Sequence, residues 1–208
     1  MSYLGRINYS FNGKYLVTAS FRADGSSRYS EGSRWGYFPS GALAWRISEE
    51  PFMKQFDKVT NLKLRLGYGR TGSSAIDPYM TQNLLITGKR GSGSDNVPYY
   101  APSSTFPEDL ICERRSQWDI GADLGLFNQR LRFTADYYYK KTTDLLNTVS
   151  LPSSSGYSST VRNIGSMSNR GVELLVEADV VQKKDFGFTL QFNIAHNKNR
   201  VEELADGD

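Results

Sequence analysis

The sequence has little cysteine and histidine, and it has no long apolar run. Among 208 residues there is one cysteine, Cys112, and one histidine, His196. A single cysteine excludes an internal disulfide, and single copies of both residues exclude a multi-histidine or Cys/His zinc site. No run of about 18 apolar residues is present, so the sequence contains no transmembrane helix. A membrane-spanning β-barrel is not excluded by that absence.

The net charge is also small, and the basic residues are scattered along the chain. The sequence has 25 Lys and Arg against 22 Asp and Glu, which leaves a formal charge of +3 at pH 7. Because there is no basic patch or stripe, we expect no nucleic-acid partner. The first residues, MSYLGRINYS, enter strand-like alternation directly and lack the basic and apolar regions of a signal peptide.

Aromatic residues and glycine are plentiful, at 13 Tyr, 11 Phe, 3 Trp and 19 Gly, and this composition favours strands and turns. Several segments alternate apolar and polar residues, as strands with one apolar face do. These segments are YLGRINYSF, KYLVTASFRA, YFPSGALAWRI, NLKLRLGYGR, QWDIGADLGLF, LRFTADYYYK, GVELLVEADV and FGFTLQFNIA. The sequence therefore predicts an all-β chain of about eight strands.

The strands and their connections have the proportions of a membrane barrel wall. Several segments alternate for about ten residues, which at a tilt near 45° project to about 23 Å, close to an outer-membrane apolar band. Short and long connections alternate, and the long ones cover 24–35, 72–114 and 141–168. Up-and-down outer-membrane barrels show this alternation, whereas loops beyond about 12–15 residues are uncommon in compact soluble domains. Periodicity alone also fits a soluble β-sandwich, which is the alternative.

Aromatic residues flank the predicted strands where a barrel wall needs interface girdles. One set borders the long loops: Trp35, Tyr37, Phe38, Trp118, Tyr137, Tyr138 and Tyr139. A second set flanks the short turns: Phe11, Tyr15, Phe127 and Phe186. The alternative interpretation is that these are scattered aromatic residues of a hydrophobic core.

The polar face of the predicted strands carries carboxylates in mid-strand. In a barrel these side chains would face a wet lumen, and they are the lumen-facing candidates: Asp119, Asp123, Asp136, Glu173 and Glu177. In a soluble sandwich, water would solvate the same face. Tyr157, in a long loop, is a candidate for stacking on a sugar ring. We assign no catalytic, cofactor or metal-binding residue and expect no enzyme, since a glycosidase-like carboxylate pair requires a cleft that spacing does not show.

The stretch GYGRTGSS contains Gly67, Gly69 and Gly72 with the spacing of a dinucleotide-binding fingerprint. That fingerprint needs a preceding strand, a following helix and a surrounding βαβ unit. Here Gly67 and Gly69 lie inside a predicted strand, on its polar face, and no convincing helix follows. The glycines are better interpreted as leaving room for neighbouring chain on that face.

Segments spread along the chain resemble one family. Five segments, in this order, are similar to the SusC/RagA family of TonB-dependent outer-membrane transporters. They are YLGRINYSFNGKYLVTASFRADGSSRY, RWGYFPSGALAWRISEEPFM, NLKLRLGYGRTG, SQWDIGADLGLFNQRLRFTADYYYKKTTDLL and NIGSMSNRGVELLVEADV. The resemblance covers nearly the whole chain and fails mainly in the long loops. Because several independent segments agree, it is more specific than any single motif.

The resemblance implies that residues 1–208 are antiparallel up-and-down strands from the wall of a plugged, 22-stranded transmembrane barrel. The plug, the TonB box and the terminal strands would then lie outside this sequence. It further implies a place in the outer membrane of a Gram-negative cell, in contact with lipid.

The implied function is the import of large nutrients, of the glycan or peptide class. A SusD-like surface lipoprotein would act as lid, and the inner-membrane TonB complex would supply energy by pulling on the plug. The resemblance implies no cofactor. The alternative function is a soluble all-β sandwich that serves as a binding or structural module, and a carboxylate-dependent hydrolase comes third.

Overall fold

The structure is a computed structural model that describes residues 1–29, 32–73, 85–92, 95–102, 110–155, 157 and 159–204. Its strands are β1 (Ser2–Phe11), β2 (Tyr15–Gly25), β3 (Trp35–Arg46), β4 (Val59–Ser73), β5 (Leu85–Ser92), β6 (Asp95–Pro102), β7 (Glu113–Leu126), β8 (Leu131–Thr143), β9 (Leu146–Ser150), β10 (Ser159–Asn163), β11 (Ser166–Gln182) and β12 (Gly187–Glu203).

Eight of these strands form one antiparallel sheet in the order β1-β2-β3-β4-β7-β8-β11-β12. All the alternating segments of the sequence lie in this sheet, which confirms the predicted all-β, up-and-down fold. The remaining strands form two hairpins, β5–β6 and β9–β10, inside the predicted loops 72–114 and 141–168, where no strand was predicted. Among the described residues no second large sheet packs on the first, so the sandwich alternative is not supported.

The sheet has two chemically different faces, because the register keeps apolar residues in line across the strands. Leu66 lies opposite Ile120, Ile120 opposite Tyr137 and Tyr137 opposite Val172; we call the face that these residues share the apolar face. The next row contains Arg65, Gly121, Asp136 and Glu173 and belongs to what we call the polar face. A slip of one residue in any strand would move the apolar side chains of that strand to the polar face.

The described chain does not bury its apolar face. Ile7 is 73% exposed, Phe192 is 64% exposed and Ile120 is 56% exposed, although all three belong to long, regular strands. The buried hydrophobic residues are few: Tyr29, Phe38 and Leu110. Burial of apolar surface is the main stabilising term in folding, so this face must meet an apolar environment that the chain itself does not supply.

Tight turns join the strands at one end of the sheet. Asn12 and Gly13 both have positive φ, 51° and 66°, in the three-residue connection between β1 and β2, where the backbone N–H of Lys14 donates to the carbonyl oxygen of Phe11 at 3.0 Å. Phe127, Asn128 and Gln129 also have positive φ in the turn between β7 and β8. Two 3₁₀ segments, Ile47–Glu49 and Pro51–Gln55, connect β3 to β4. In the described part of the chain no helix is long and apolar enough to cross a membrane.

Candidate functional site on the polar face and at the long-loop end

The polar face is organised around two arginines, the first of which is Arg65 on β4. Its Nε lies 3.0 Å from Oδ2 of Asp123 and its Nη2 lies 3.0 Å from Oδ1 of the same carboxylate, a bidentate pair. The same Nη2 also reaches Asp136 on β8, at 3.0 Å. Arg65 therefore binds two carboxylates from two different strands.

Gly121 makes this reach possible. It lies between Arg65 and Asp136 in the register, on the intervening strand β7. A Cβ atom at Gly121 would stand 2.8 Å from Cζ of Arg65 and would also collide with the Asp136 carboxylate. Only glycine leaves the guanidinium a path over β7 to β8, and the ion pair thereby joins strands that are not neighbours.

The second arginine, Arg132 on β8, holds two carboxylates of β11. Its Nε donates to Glu177 at 3.0 Å and its Nη1 donates to Asp179 at 3.0 Å. Nη1 also donates to the carbonyl oxygen of Gln129 in the tight turn, at 2.8 Å. Thr189 on β12 donates to Asp179 at 2.8 Å. This cluster ties three strands and a turn together near the short-turn end.

All five carboxylates predicted from the sequence lie on the polar face, but they differ in their partners. Asp123, Asp136 and Glu177 are engaged by arginines. Asp119 accepts a hydrogen bond from the amide of Gln117 at 2.7 Å, and the exposed Glu173 has no polar partner among the described residues. In that same part of the chain, no group of three or more His, Cys, Asp or Glu residues could hold a metal ion.

Sequence reasoning missed the roles of Arg65, Arg132 and Asp179. Their strand positions place them on the polar face, which was a usable signal. Their partners were not predictable, because each ion pair depends on the register between strands that are far apart in sequence.

The glycines of GYGRTGSS pack against side chains. A Cβ at Gly67 would lie 3.6 Å from Cβ of Asp119, and one at Gly69 would lie 3.6 Å from Cβ of Ser40. The tip of the Phe38 ring lies directly over Gly72, and a Cβ at Gly36 would approach the same ring to 2.6 Å. Phe38 is thus buried, 8% exposed, instead of standing in an aromatic girdle. The surrounding sheet is antiparallel, which is not the context of a dinucleotide fingerprint.

At the other end of the sheet, three connections share a small core that we call the loop cluster. Tyr29 and Leu110 are 2% and 1% exposed, and Cys112, Leu146 and Val161 pack against them. The Tyr29 hydroxyl donates to the carbonyl oxygen of Ser73 at 3.3 Å. Burial, together with the neighbouring Cys112, raises the pKa of the Tyr29 phenol well above its ordinary value.

Asn163 secures the β9–β10 hairpin to the rest of the loop cluster. Its side-chain oxygen accepts from the backbone N–H of Ile111 at 2.9 Å, and its amide nitrogen donates to the Ile111 carbonyl at 2.8 Å. The same nitrogen donates to the carbonyl of Asp144 at 2.9 Å. Tyr157 lies in this hairpin's connection and is half-buried; its backbone N–H donates to Oγ of Ser155 at 3.3 Å.

A buried carboxylate, Glu50, anchors the 3₁₀ segments at the short-turn end. It accepts from Lys14 at 3.0 Å, from the Tyr15 hydroxyl at 2.8 Å and from the Trp45 indole at 3.2 Å. The rings of Tyr15 and Trp45 stack, with centroids 6.3 Å apart. Hydrogen bonds from Lys14, Tyr15 and Trp45 lower the pKa of the Glu50 carboxyl.

The sheet has an exposed apolar face and an ion-paired polar face, with tight turns at one end and longer connections at the other. These features define part of the wall of a membrane-type β-barrel. The chain belongs to the family described as TonB dependent receptor-like, beta-barrel, whose model matches residues 2–208.

Characterised relatives agree with this assignment. The chain is 40% identical over 213 residues to the TonB-dependent receptor SusC of Bacteroides thetaiotaomicron, a match that covers 100% of the chain and 21% of SusC. It is 42% identical over 207 residues to the TonB-dependent receptor P39 of Formosa agariphila, covering 100% of the chain and 20% of the relative. The chain thus spans about a fifth of the length of these relatives.

Solved structures show the same likeness. The structure of the RagAB peptide transporter superposes with a TM-score of 0.87 at 31% identity, over 99% of this chain and 22% of that one. The RagAB peptide importer in its open-open state gives a TM-score of 0.89, also at 31% identity and with the same coverage. The resemblance to the SusC/RagA family is confirmed by these matches.

Proposed function

We propose that this chain forms part of the wall of an outer-membrane importer that takes up large nutrients of the glycan or peptide class and uses energy from TonB. The observation that carries the proposal is the pair of contrasting faces on one sheet of long strands. An exposed apolar face suits lipid, and a polar face dense in ion pairs suits a water-filled or plugged lumen. The likeness to the RagAB peptide transporter supports the peptide class, and the glycan class is what the family resemblance implies.

The polar face is the proposed lumen wall. Of its predicted candidates, Asp119 and Glu173 are the ones that pair with no arginine within the described part of the chain, so they are the carboxylates available to a cargo or a plug. Asp123, Asp136 and Glu177 serve to fix the wall through Arg65 and Arg132. Tyr157 stays a proposed stacking residue in the outer loops.

The long-loop end is the proposed outer end, where a SusD-like surface lipoprotein would meet the barrel. The loop cluster supports this assignment, because Tyr29, Leu110 and Val161 join three connections in one buried core. Connections that pack on one another offer a partner a shared surface. TonB would act from the opposite, short-turn side.

The first test is to find where the protein resides and how large it is. An antibody against residues 72–114 would be used on fractions of the source cells. We expect a band several times larger than 23.4 kDa in the outer-membrane fraction. A 23.4 kDa band in the soluble fraction would overturn the proposal.

The second test concerns the activity. Deletion of the gene should abolish growth on one glycan or peptide source while growth on glucose continues. The intact gene should restore growth, and should fail to do so when TonB is inactivated. Normal growth of the deletion strain on every glycan and peptide source offered would contradict the importer function.

A further inference from the structure

The apolar face changes its chemistry near the long-loop end of the sheet, where Lys and Arg replace apolar side chains. One row of residues that lie opposite one another in the register contains Tyr68, Trp118, Tyr139, Arg170 and Lys198. The next row contains Arg70, Ser116, Lys141, Ser168 and Arg200, and Arg114 lies one row further. We call the six cations on this face the basic band: Arg70, Arg114, Lys141, Arg170, Lys198 and Arg200.

The six residues of the basic band come from five strands, β4, β7, β8, β11 and β12. They are scattered along the sequence, and only the register between the strands brings them together. On the rest of the apolar face, as far as the structure describes it, the strands carry no other Lys or Arg. At the short-turn end the same face ends in Leu126, Leu131 and Phe188. The positive charge is therefore confined to the long-loop end.

The spacing along β8 places the basic band at the edge of the lipid-facing surface. Leu131 and Lys141 lie ten residues apart on this strand, which corresponds to about 33 Å along it. At a strand tilt near 40° this length projects to about 25 Å, the height of the apolar band of an outer-membrane barrel. The aromatic side chains of Trp118 and Tyr139 lie one row inside Lys141, where an interface girdle is expected. The basic band thus lies at the level of lipid head groups.

The carboxylates nearby neutralise only part of this charge. Arg114 pairs with Asp144 at 3.0 Å. Glu202, near the end of β12, accepts a hydrogen bond from the Ser168 hydroxyl at 2.6 Å, and Glu203 follows it on the same strand. Three carboxylates against six cations leave an excess of three positive charges.

Four members of the basic band have no polar partner within the described part of the chain. Lys141, Arg170, Lys198 and Arg200 are exposed and make no hydrogen bond or ion pair there. Arg70 makes one long hydrogen bond, to the Ser116 hydroxyl at 3.4 Å. Moreover, Arg170 lies directly opposite Lys198, and like charges in this position repel each other. An anion bound between them would remove the repulsion.

We propose that the basic band binds the phosphate groups of a phosphorylated lipid in the outer leaflet of the membrane. Lys and Arg near a membrane surface attract anionic head groups, and both side chains bind phosphate. The order of the residues on the face selects a lipid, because an acyl chain would lie against Ile120 and Trp118 while its head group reaches Lys141. This proposal rests on the outer-membrane location of the proposed function.

Binding of lipid to the full-length protein in detergent tests the proposal. The probes are diphosphoryl lipid A and the same lipid after both phosphates have been removed, so that the acyl chains are identical. We expect the phosphorylated lipid to bind tenfold or more tightly. Inorganic phosphate at a hundredfold molar excess should not displace it, because a free anion lacks the acyl chains. Equal binding of the two lipids, or displacement by inorganic phosphate, would overturn the proposal.

Two neighbouring lysines provide a matched pair of variants. K141Q removes a charge from the basic band and should weaken binding of the phosphorylated lipid by about fivefold. K140Q removes the same charge from the next residue, which lies on the polar face opposite Gln117 and Asn169, and should change nothing. Equal effects of K141Q and K140Q would show that the basic band is not the binding site.

Arg170 separates a loss of binding from a loss of folding. R170Q should also weaken lipid binding by about fivefold, whereas R170K keeps the charge and should lie within about twofold of the wild type. Without phosphorylated lipid, R170Q should melt at or above the temperature of the wild type, because the repulsion from Lys198 is gone. A lower melting temperature together with unchanged lipid affinity would contradict the proposal.

Two further outcomes distinguish this proposal from its alternatives. If K141Q lost a surface lipoprotein that the wild type retains, with lipid affinity unchanged, the basic band would be a protein interface and the proposal would be wrong. A protein that resides in the outer membrane and imports its nutrient, but shows no preference for phosphorylated lipid, would overturn the basic band alone. A protein found in the soluble fraction would overturn both proposals.

Discussion

At the scale of single residues, neighbouring side chains occupy the space that a larger residue would need at several glycines of the strands. Gly36 and Gly72 are covered by one aromatic ring, and Gly121 lies beneath the guanidinium of Arg65. None of the three has the positive φ that would require glycine for backbone reasons. Glycine is required at these positions because a side chain would collide with its neighbours. A substitution by alanine, which adds one methyl group, tests this requirement.

We expect Gly72→Ala to destabilise the protein by about 1–3 kcal/mol, because the new methyl group overlaps the Phe38 ring, which also lies close to Gly36. Gly69→Ala is the matched control on the same strand; its Cβ makes an ordinary contact of 3.6 Å with Ser40. The control should be neutral or slightly stabilising. Urea unfolding of the full-length protein in detergent measures both. Phe38→Leu, which removes the colliding ring atoms, should restore the stability of Gly72→Ala, and equal effects of the two alanines would refute the packing argument.

Glu50 predicts a specific dependence of stability on pH. Its folded pKa lies below the ordinary 4.5, so the ionised form stabilises the folded state above that value. This contribution is lost as the pH falls through the lowered pKa. We expect the melting temperature of the wild type to drop more steeply below about pH 5 than that of Glu50→Gln. Parallel pH profiles of the two proteins would show that the carboxylate contributes nothing.

At the scale of secondary-structure elements, the strands of the sheet are joined by more than their backbone ladder. Arg65 connects β4 to β7 and to β8, and Arg132 connects β8 to β11. The partners are about a third exposed, so each pair contributes modestly in water. Their main consequence is to fix register, since a slip of one residue would move the charges to the apolar face.

A double-mutant cycle on Arg132 and Glu177 should give a coupling energy of about 0.5–1 kcal/mol. The exposed pair Arg46–Glu49 is the control, with a coupling expected near zero. Urea unfolding in detergent, at low salt and at about 1 M salt, gives both values. The Arg132 coupling should shrink at high salt, since screening weakens partly exposed charges; an unchanged or zero coupling would show that the pair does not stabilise the wall.

The loop cluster contains its own reporter, Cys112. Leu110→Ala should open this small core and raise the rate of Cys112 modification by a maleimide by about tenfold, because Leu110 is 1% exposed and packs beside the thiol. Val97→Ala, at an exposed position of the β5–β6 hairpin, should leave the rate unchanged. A Cys112 that reacts equally fast in both variants would show that the cluster does not protect it.

The sequence was sufficient to predict the eight wall strands but not the two loop hairpins, and the reason is physical. Strands such as QWDIGADLGLF alternate over many residues, whereas β9 and β10 have five residues each and alternate weakly. The faces of Asp123 and Asp136 followed from alternation. Alternation did not predict that both carboxylates contact Arg65, because these contacts depend on the register of three strands and on the missing side chain of Gly121. Phe38 was predicted as a girdle residue, and only the positions of Gly36 and Gly72 reveal its burial.

At the scale of the whole molecule, the sheet separates an apolar surface from a charged one. The apolar face stays exposed along nearly its entire width, from Ile7 on β1 to Phe192 on β12. Such an area is far larger than the apolar patches of ordinary soluble monomers. The apolar surface needs hydrocarbon around it and the charged surface needs water or polar protein. A sheet with both surfaces is therefore stable only where hydrocarbon lies on one side and water or polar protein on the other.

This arrangement predicts that the protein needs a membrane mimetic. Extracted in detergent it should run as a discrete species in size-exclusion chromatography, and dilution below the critical micelle concentration should precipitate it. Ile120→Lys, in the middle of the apolar face, should lower stability in lipid by about 2–4 kcal/mol. Thr134→Lys on the polar face is the control and should have a smaller effect. A monodisperse protein without detergent would contradict the assignment of the apolar face to lipid.

The β5–β6 hairpin leaves from β4 and returns at β7, two strands that pair directly with each other. Among the described residues its strands pair only with one another, and the ladder between β4 and β7 forms without them. Mutations, insertions and exchanges in this segment therefore escape the constraint that register imposes on the wall. In evolutionary terms, descendants of such a gene can acquire a new binding specificity at the long-loop end of the sheet while the membrane-spanning strands are inherited unchanged.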